Sequence, residues 1–399
     1  MQKVVAVLGG GIGGLSACHH LSKSPNVSKI VLLEKSGRCG GWLSSIRRDD
    51  GAVFEQGPRG VRPAGAVGRN TLNMVSELGL ESEILPVTKD HVASKNRFLY
   101  VKGQLHKMPS GPGGVICTIP PFSRPIIQSV LKEVLIRKGT EEDESVHAFV
   151  SRRMGSELAD IAIDSLCRGV FAGDSRQLSV RSCFPPLYEA ERSRGSIVLG
   201  MLMGSGEGAE GPVELASVLP PAAQHLSEQL RSIASVNVAV VNLEYEGFIL
   251  PFTGFGHLVP SSEDPGLLGV VYDSVPFPQH NRSGGLTTRL TVMMGGAWFE
   301  QTFGHPDSVT KQMLLDRATQ AVTSHLGINS QPVWSCVALH KNCIPQYHLG
   351  HWKRLEKMRQ YISNHNLPLT LAGASYDGVS VNDVIFSGRT AAEGLIGKT

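Results

Sequence analysis

Three glycines and one glutamate carry the most specific chemistry in the sequence. Gly9, Gly11 and Gly14 spell G-x-G-x-x-G, Gly10, Ile12 and Gly13 fill the intervening positions, and Glu34 stands twenty residues past Gly14. Each glycine answers a separate physical need. The first turns tightly, the second lets backbone approach a pyrophosphate, and the third lets a helix pack on a strand. A helix that opens there offers unpaired N–H groups and the positive end of its dipole to the phosphates. A carboxylate at the end of the next strand accepts hydrogen bonds from ribose hydroxyls. The pattern therefore predicts a dinucleotide site. Beyond Glu34 and Lys35 come Arg38-Cys39-Gly40-Gly41-Trp42, a second glycine pair where backbone can lie against a cofactor, and then Gly57-Pro58-Arg59-Gly60.

The elements that must position these residues follow from hydrophobic spacing. Lys3 to Leu8 is an apolar run that reads as a buried parallel strand, Ile12 to Leu21 has helical spacing, and Lys29 to Leu33 is a second strand. Together they form a β-α-β unit. Leu72, Val75 and Leu78 fit one helix face, and Arg97 to Val101 reads as a strand turning at Gly103 into Leu105. From Ser123 to about Met203 the pattern is helical, with an acidic helix start at Glu141-Glu142-Asp143-Glu144. Strands are expected at Val236 to Leu243, Leu267 to Tyr272, Leu290 to Met294 and Val333 to Leu339, and helices at Ser308 to Leu326 and His351 to His365. A last strand at Leu367 to Leu371 leads into a terminal helix, while Gly204 to Pro212 reads as a linker into a helical pattern at Val213 to Ile233.

Composition narrows the classes further. With 399 residues, 41% of them hydrophobic, the chain is long enough for two or three domains and is not a disordered or disulfide-stapled module. Lys+Arg 38 against Asp+Glu 35 leaves a net charge of +3 and no dense basic tract, so nucleic acid is excluded as a partner. The 7 cysteines are scattered without a C-x-x-C and read as reduced thiols. His348 and His351 have no third ligand, so no metal is expected. There is no apolar run long enough to cross a membrane, and the first residues open directly into a strand, so any import signal is expected to be internal and any membrane contact peripheral.

The glycine pair at Gly40-Gly41 after Glu34, together with Leu371-Ala372-Gly373-Ala374 and Gly378-Val379-Ser380-Val381-Asn382-Asp383, resembles the amine-oxidase-like flavoprotein superfamily. Asn96 to Tyr100, Ser165 to Asp174, Gly256 to Pro260 and His340 to Tyr347 resemble, within it, the protoporphyrinogen oxidases of animal mitochondria. The resemblance implies an α/β plus α+β architecture. It comprises a Rossmann-like FAD domain of the two-dinucleotide-binding type from residues 1–95 and 331–399, a mixed-sheet substrate domain from 96–109 and 213–330, and a helical membrane-associated domain at 110–203. It implies noncovalent FAD held by Gly9, Gly10, Gly11, Ile12, Gly13, Gly14, Glu34, Lys35, Trp42, Gly57, Pro58, Arg59, Gly60, Val379, Ser380 and Val381. Arg97 matches the family's propionate anchor, and Leu166, Gly169, Phe255 and Met293 match its pocket wall. Arg59 reads as a structural residue of the flavin site, and no residue is assigned as a catalytic acid or base. The implied activity is oxidation of protoporphyrinogen IX to protoporphyrin IX by O2, with peroxide formed, by a homodimer peripheral to the mitochondrial inner membrane on its intermembrane-space side.

The resemblance breaks near residues 204–216, where family members continue through about 75 further residues, on a length comparison, that include an adenine-contacting strand. Two readings of function follow: an active FAD oxidase, and a shortened, catalytically impaired variant acting at most as a binding protein. The complete set of Gly9, Gly11, Gly14, Glu34 and Gly40-Gly41 argues against a flavin-free binding protein. Ile126, Ile127, Val130, Leu131, Val134 and Leu135 give an apolar helix face, flanked by Arg124, Lys132, Arg137 and Lys138, that predicts contact with a membrane surface.

Overall fold

The computed structural model describes residues 2–198, 224–376 and 378–397, so the expected linker at 204–212 and the adjoining 213–223 lie outside the described residues. The chain opens with β1 (Lys3–Leu8), α1 (Ile12–Ser22) and β2 (Val27–Leu33). Val4 lies opposite Lys29 and Leu8 opposite Leu33 in a parallel pair, as the apolar runs predict. Among the described residues this sheet has only these two strands. Parallel strands are ordinarily buried on both faces, yet Val4, Leu8 and Leu33 are 66%, 53% and 53% exposed. The layer is incomplete.

A hairpin of β3 (Ser45–Arg47) and β4 (Val53–Glu55) follows, then α2 (Gly65–Glu77) and α3 (Val92–Lys95). The main sheet contains β5 (Arg97–Val101), β6 (Gln104–Lys107), β7 (Ser235–Glu246), β8 (Gly256–Leu258), β9 (Leu267–Val271), β10 (Thr287–Gly296) and β11 (Trp334–Pro345). Its order is β11-β7-β10-β9-β8-β5-β6, antiparallel except for the parallel pair of β5 and β8. Side chains alternate across a pleated sheet, so each row of paired residues chooses a side. Phe98, His257, Val270, Val292, Val241 and Val337 form one row. The apolar members of that row pack with Leu314, Ala318 and Val322 in the largest core. The rows on either side look the opposite way, and they carry the candidate chemistry.

Between β6 and β7 the described chain is helical: α4 (Pro112–Ile116), α5 (Ile126–Glu133), α6 (Val146–Met154), a π-turn at Leu158–Ile163, α7 (Asp164–Phe171), α8 (Val180–Cys183), α9 (Pro185–Arg194) and α10 (Gln224–Arg231). This part has its own core around Phe122, Phe149, Phe171 and Tyr347. It also buries an ion cluster, with the side chains of Arg153 and Glu133 at 0% exposure and Glu191 at 2%. Burial of charge is tolerated only with full pairing, and Glu133 meets this by also accepting from Ser196 Oγ at 2.6 Å and Ile197 N at 2.8 Å. The chain ends with α11 (Phe299–Phe303), α12 (Lys311–Leu326), α13 (His351–Asn364) and α14 (Val381–Ile396).

Several expectations shift. The buried stripe of α2 is Gly68, Thr71 and Met74, because α14 packs on its small-residue face, while Leu78 lies past the helix and is 49% exposed. The acidic run 141–144 precedes α6, whose N-cap is Ser145, and spends its carboxylates on tertiary contacts: Asp143 accepts from Ser179 Oγ at 2.8 Å and Gly350 N at 3.0 Å. Leu367 to Leu371 forms no strand. Its leucines instead pack against Leu230 of α10 and Met358 of α13. The apolar helix face expected to run through Leu135 ends at Glu133, whose carboxylate is buried against Arg153. β11 continues well beyond Leu339 and pairs with β7, so the strand after residue 331 belongs to the main sheet.

Candidate functional site

The dinucleotide turn is assembled by close backbone approach. A Cβ on Gly14 would stand 2.0 Å from the Gly9 carbonyl, and Gly9 itself has φ +100°, a region open to glycine. The second glycine pair closes over the turn: Gly40 N donates to Gly10 O at 2.8 Å, and a Cβ on Gly41 would stand 3.1 Å from Gly11 Cα. The Arg38 guanidinium fastens that loop by donating to Cys39 O, Leu43 O and Gly41 O at 3.2, 3.1 and 2.6 Å. Arg38 escaped notice in the sequence as a positioning residue; its place beside Cys39-Gly40-Gly41 was the available signal.

α1 begins without a side-chain cap and with no acid in its first turn, so its first N–H groups stay available to an anion. Glu34 closes the other side. Its carboxylate accepts from Gly10 N at 2.6 Å and Ser36 N at 2.7 Å, and those bonds, Ser36 foremost, hold its pKa down at about 2. The carboxylate is ionised at neutral pH, and its remaining lone pairs suit ribose hydroxyls. These features fit the pyrophosphate and ribose of an adenine dinucleotide.

Both ends of the chain meet here. A Cβ on Gly388 of α14 would stand 2.2 Å from Gly13 O, Ser16 Oγ donates to Ile385 O at 2.7 Å, and Gly373 N donates to Ser387 Oγ at 3.0 Å. Ser380 caps α14 in a reciprocal capping box with Asp383, so this helix start satisfies itself, in contrast to α1. Val379 packs against the helical core and Val381 begins α14. Lys35 is exposed; Trp42 is 43% exposed and packs edge-on against His340 at 5.3 Å.

The hairpin β3–β4 carries Gly57, Pro58, Arg59 and Gly60 onto the chemistry-bearing face of the main sheet. Phe54 stacks on Trp334 at 4.2 Å, Asn242 Nδ2 donates to Glu55 O at 3.0 Å, and His340 Nε2 lies 2.6 Å from Gln56 O. A Cβ on Gly57 would stand 2.0 Å from Trp42 O, which joins this loop to the one above. Arg59 is ion-paired with Asp273 and donates to Thr291 Oγ1 at 2.9 Å.

Arg97 and Met293 belong to rows on that same face. Arg97 lines up with Gly256, Val271, Thr291 and Asn242, while Leu99 lines up with Leu258, Gly269 and Met293. Arg97 is exposed, its guanidinium lies 6.0 Å from the Phe255 ring centre, and no carboxylate pairs with it among the described residues. Gly169 of α7 sits on Leu258: an added Cβ would be 2.9 Å from Leu258 Cδ2. Leu166, 37% exposed, and Val170, 42% exposed, extend that helix face outward. Arg168 pins α7 in place from its buried side, donating to Val259 O at 2.9 Å and to Asp264 O and Leu267 O at 2.8 Å. The result is an unpaired cation beside an open apolar face, the composition a large apolar carboxylate requires. Asp273, Thr291 and Asn242 join the site only through tertiary contacts, and no local pattern marks them, whereas Arg168 lies in the Ser165 to Asp174 segment.

Cys343 and His351, which have redox or metal potential, are otherwise engaged. Cys343 is buried, its thiol is pushed up to about 12 by that burial, and its Sγ lies 3.4 Å from Val236 O. His351 Nε2 bonds Tyr376 O at 2.7 Å and its ring stacks on Tyr347. Among the described residues no group of three His, Cys, Asp or Glu is placed to hold a metal, and no helix is long and apolar enough to cross a membrane.

Comparisons with known proteins agree with this geometry. The family model of flavin-containing amine oxidoreductases matches residues 12–217 and 211–396. The protoporphyrinogen oxidase of Homo sapiens is 46% identical over 474 aligned positions, covering 100% of this chain and 99% of the relative. With 399 residues in this chain, the remaining 75 of those 474 positions have no counterpart in it. That of Schizosaccharomyces pombe is 30% identical over 98% of each chain. Among solved structures, reduced UDP-galactopyranose mutase superposes with a TM-score of 0.70 at 14% identity over 100% of this chain and 96% of that one. FAD is therefore the cofactor of this chain, in an amine-oxidase-like fold with a mixed sheet. The chain belongs to the flavin-containing amine oxidoreductases and, among them, to the family of the protoporphyrinogen oxidases.

Proposed function

We propose that the chain oxidises protoporphyrinogen IX to protoporphyrin IX within haem biosynthesis, with O2 as the final acceptor and hydrogen peroxide as the second product. The full-length match at 46% identity, with the dinucleotide turn intact, carries this reading. Bound FAD would supply the hydride acceptor and the route for electrons to O2, in successive two-electron rounds that each release one pyrrole N–H proton and reduce one O2 to H2O2. The chain's own residues bind and orient. Gly9 to Gly14 and the start of α1 take the pyrophosphate, Glu34 the ribose, and the residues at Trp42, Gly57 to Gly60 and Val379 to Val381 surround the ring end. Arg97 anchors a propionate by the bidentate geometry that suits guanidinium to carboxylate. Leu166, Gly169 and Met293 wall the macrocycle on the sheet face opposite α12, and Phe255, which packs against the core on the α12 side, completes the wall beside Arg97. The binding is noncovalent, since the enclosed, protonated Cys343 thiol is unsuited to attachment.

The same reading gives a homodimer at the mitochondrial inner membrane, on the intermembrane-space side, with the helical part of residues 110–203 touching the bilayer. Its support is the exposed apolar set on and after α5: Leu131 at 64%, Val134 at 44% and Leu135 at 84%. A second reading, an impaired oxidase, is favoured by the β1–β2 sheet, which among the described residues has two strands and uncovered apolar side chains.

The deciding experiment is anaerobic preparation of protoporphyrinogen IX, then fluorescence of the porphyrin formed on adding the FAD-loaded chain and air. Arg97→Ala is expected to raise KM for the substrate while leaving the flavin spectrum unchanged. Loss of flavin in that variant would assign Arg97 to the scaffold instead.

A further inference from the structure

Arg59 is held in a way that a merely structural arginine does not need. Residues 56–64 have no helix or strand of their own, and the side chain reaches from this loop to the main sheet. Its Nη1 makes both of the polar contacts, the ion pair with Asp273 and the 2.9 Å bond to Thr291 Oγ1. The hydroxyl of Thr291 donates to Asp273 Oδ2 at 2.6 Å and accepts from Asn242 Nδ2 at 2.9 Å, so its capacity is filled. Asn242 Nδ2 in turn donates to Glu55 O, at the base of the same loop. The Arg59 and Asp273 side chains are only 9% and 10% exposed. A guanidinium has five N–H donors in a rigid plane. Clamping Nη1 fixes that plane and leaves Nε and Nη2 without a partner among the described residues.

We infer that Asp273 is a positioning residue for the cofactor: it clamps one edge of Arg59 so that the opposite edge is presented to the carbonyl oxygens of the flavin ring. The inference rests on the assignment of Arg59 to the flavin site. Asp273 also lowers the cost of keeping that cation nearly buried, since an ion pair is tolerated where a lone charge is not. Thr291 and Asn242 extend the clamp across β10 and β7, which makes the position of the guanidinium a property of the sheet rather than of the loop.

The test exploits the Arg59–Gly60 peptide bond, which trypsin cleaves only when the side chain is free, with Lys102 in its exposed turn as an internal reference. Limited digestion of the full chain, read by mass spectrometry, compares wild type, Asp273→Asn and Asp273→Glu, each with and without added FAD. Cleavage after Arg59 is expected to accelerate several-fold in Asp273→Asn and to return toward wild type in Asp273→Glu, with cleavage after Lys102 unchanged. FAD is expected to protect Arg59 in wild type, and Asp273→Asn to bind FAD several-fold more weakly with a displaced visible band. Unchanged cleavage after Arg59 in Asp273→Asn overturns the clamp. Accelerated cleavage in Asp273→Asn with no protection of wild type by FAD retains the clamp but overturns the assignment of Arg59 to the flavin. If Asp273→Asn is cut faster everywhere, Thr291→Val, which removes one clamp bond and keeps the shape, decides in its place by the same criterion.

Discussion

Glu34 shows how much a single side chain at the turn does. Backbone N–H groups of Ser36 and Gly10 hold the carboxyl's pKa down at about 2, so it is charged at neutral pH, as the proposed ribose contact requires. Glu34→Ala is expected to weaken FAD binding by about tenfold or more, measured by quenching of flavin fluorescence; affinity equal to wild type would remove Glu34 from the site. A different pair of residues governs acid stability. His257 Nδ1 lies 2.8 Å from the Tyr272 hydroxyl and Nε2 lies 3.0 Å from His325 Nδ1, with Tyr100 stacked on His325 at 3.5 Å. Burial lowers both imidazoles, His325 to about 4 and His257 well below its usual value. Both are neutral in the folded chain, while the unfolded chain takes up protons below about pH 6.5. Their effect on stability is therefore absent above that pH and destabilising as pH falls from it toward 4, by up to about 1.4 kcal/mol per pH unit for each histidine. Thermal midpoints at pH 7 and pH 5 in wild type and His325→Phe, which keeps the stacking, measure this: the variant should lose less on acidification.

At the scale of elements, α5 is the segment whose sequence promised most and whose structure is most divided. Ile126 packs into the helical core and Glu133 is consumed by Arg153, so the helix is fastened on one side. Leu131, with Val134 and Leu135 just beyond, stays exposed on the other, and Lys132, Arg137 and Lys138 are exposed beside them. An amphipathic segment with basic flanks binds anionic bilayers through apolar area plus headgroup attraction. Changing Ile127 and Leu131 together to Ser is expected to reduce flotation with anionic liposomes without shifting the thermal midpoint appreciably. Flotation at wild-type level in a folded double variant would remove the proposed membrane contact of α5. The π-turn and α7 illustrate the complementary case. Leu166 and Val170 remain uncovered because Arg168 is spent on carbonyls of the β8–β9 connection, which holds the helix against β8 and β9 with its apolar face outward.

For the whole molecule the decisive feature is the two-stranded β1–β2 layer. The relative of 46% identity aligns over 474 positions where this chain has 399 residues, and among the described residues nothing covers Val4, Leu8 and Leu33. Apolar area counts for about 25 cal/mol per Å², and whole domains are stable by only about 5 to 15 kcal/mol. An open β1 edge is also a template for pairing with other chains. Restoring a family-length segment between Gly211 and Ala216 is expected to raise flavin content, thermal midpoint and turnover together, and to suppress self-association seen by light scattering. If chains with and without the segment show the same flavin occupancy and turnover, the missing positions are dispensable.

The dinucleotide turn was legible in the sequence because most of its requirements are local: Gly9 is dictated by its positive φ, Gly14 by approach to the Gly9 carbonyl, and Glu34 by the length of one β-α-β unit, while Gly11 faces Gly41 of the second glycine pair. The main strands were legible for the same reason, since a buried strand needs an apolar run and little else. Leu367 to Leu371 has that run and is not a strand, because a strand exists only with an edge to pair with, and here its leucines found α10 and α13 instead. The short β3, β4 and β8 left no periodicity to read. What tertiary structure alone decided is which side of the main sheet holds Arg97, Met293 and Thr291, and that Asp273 meets Arg59 across 214 residues of chain. Registers of strands distant in sequence are set by the packing of both faces at once, α12 on one and the β3–β4 hairpin with α7 on the other, and no window of residues contains that information.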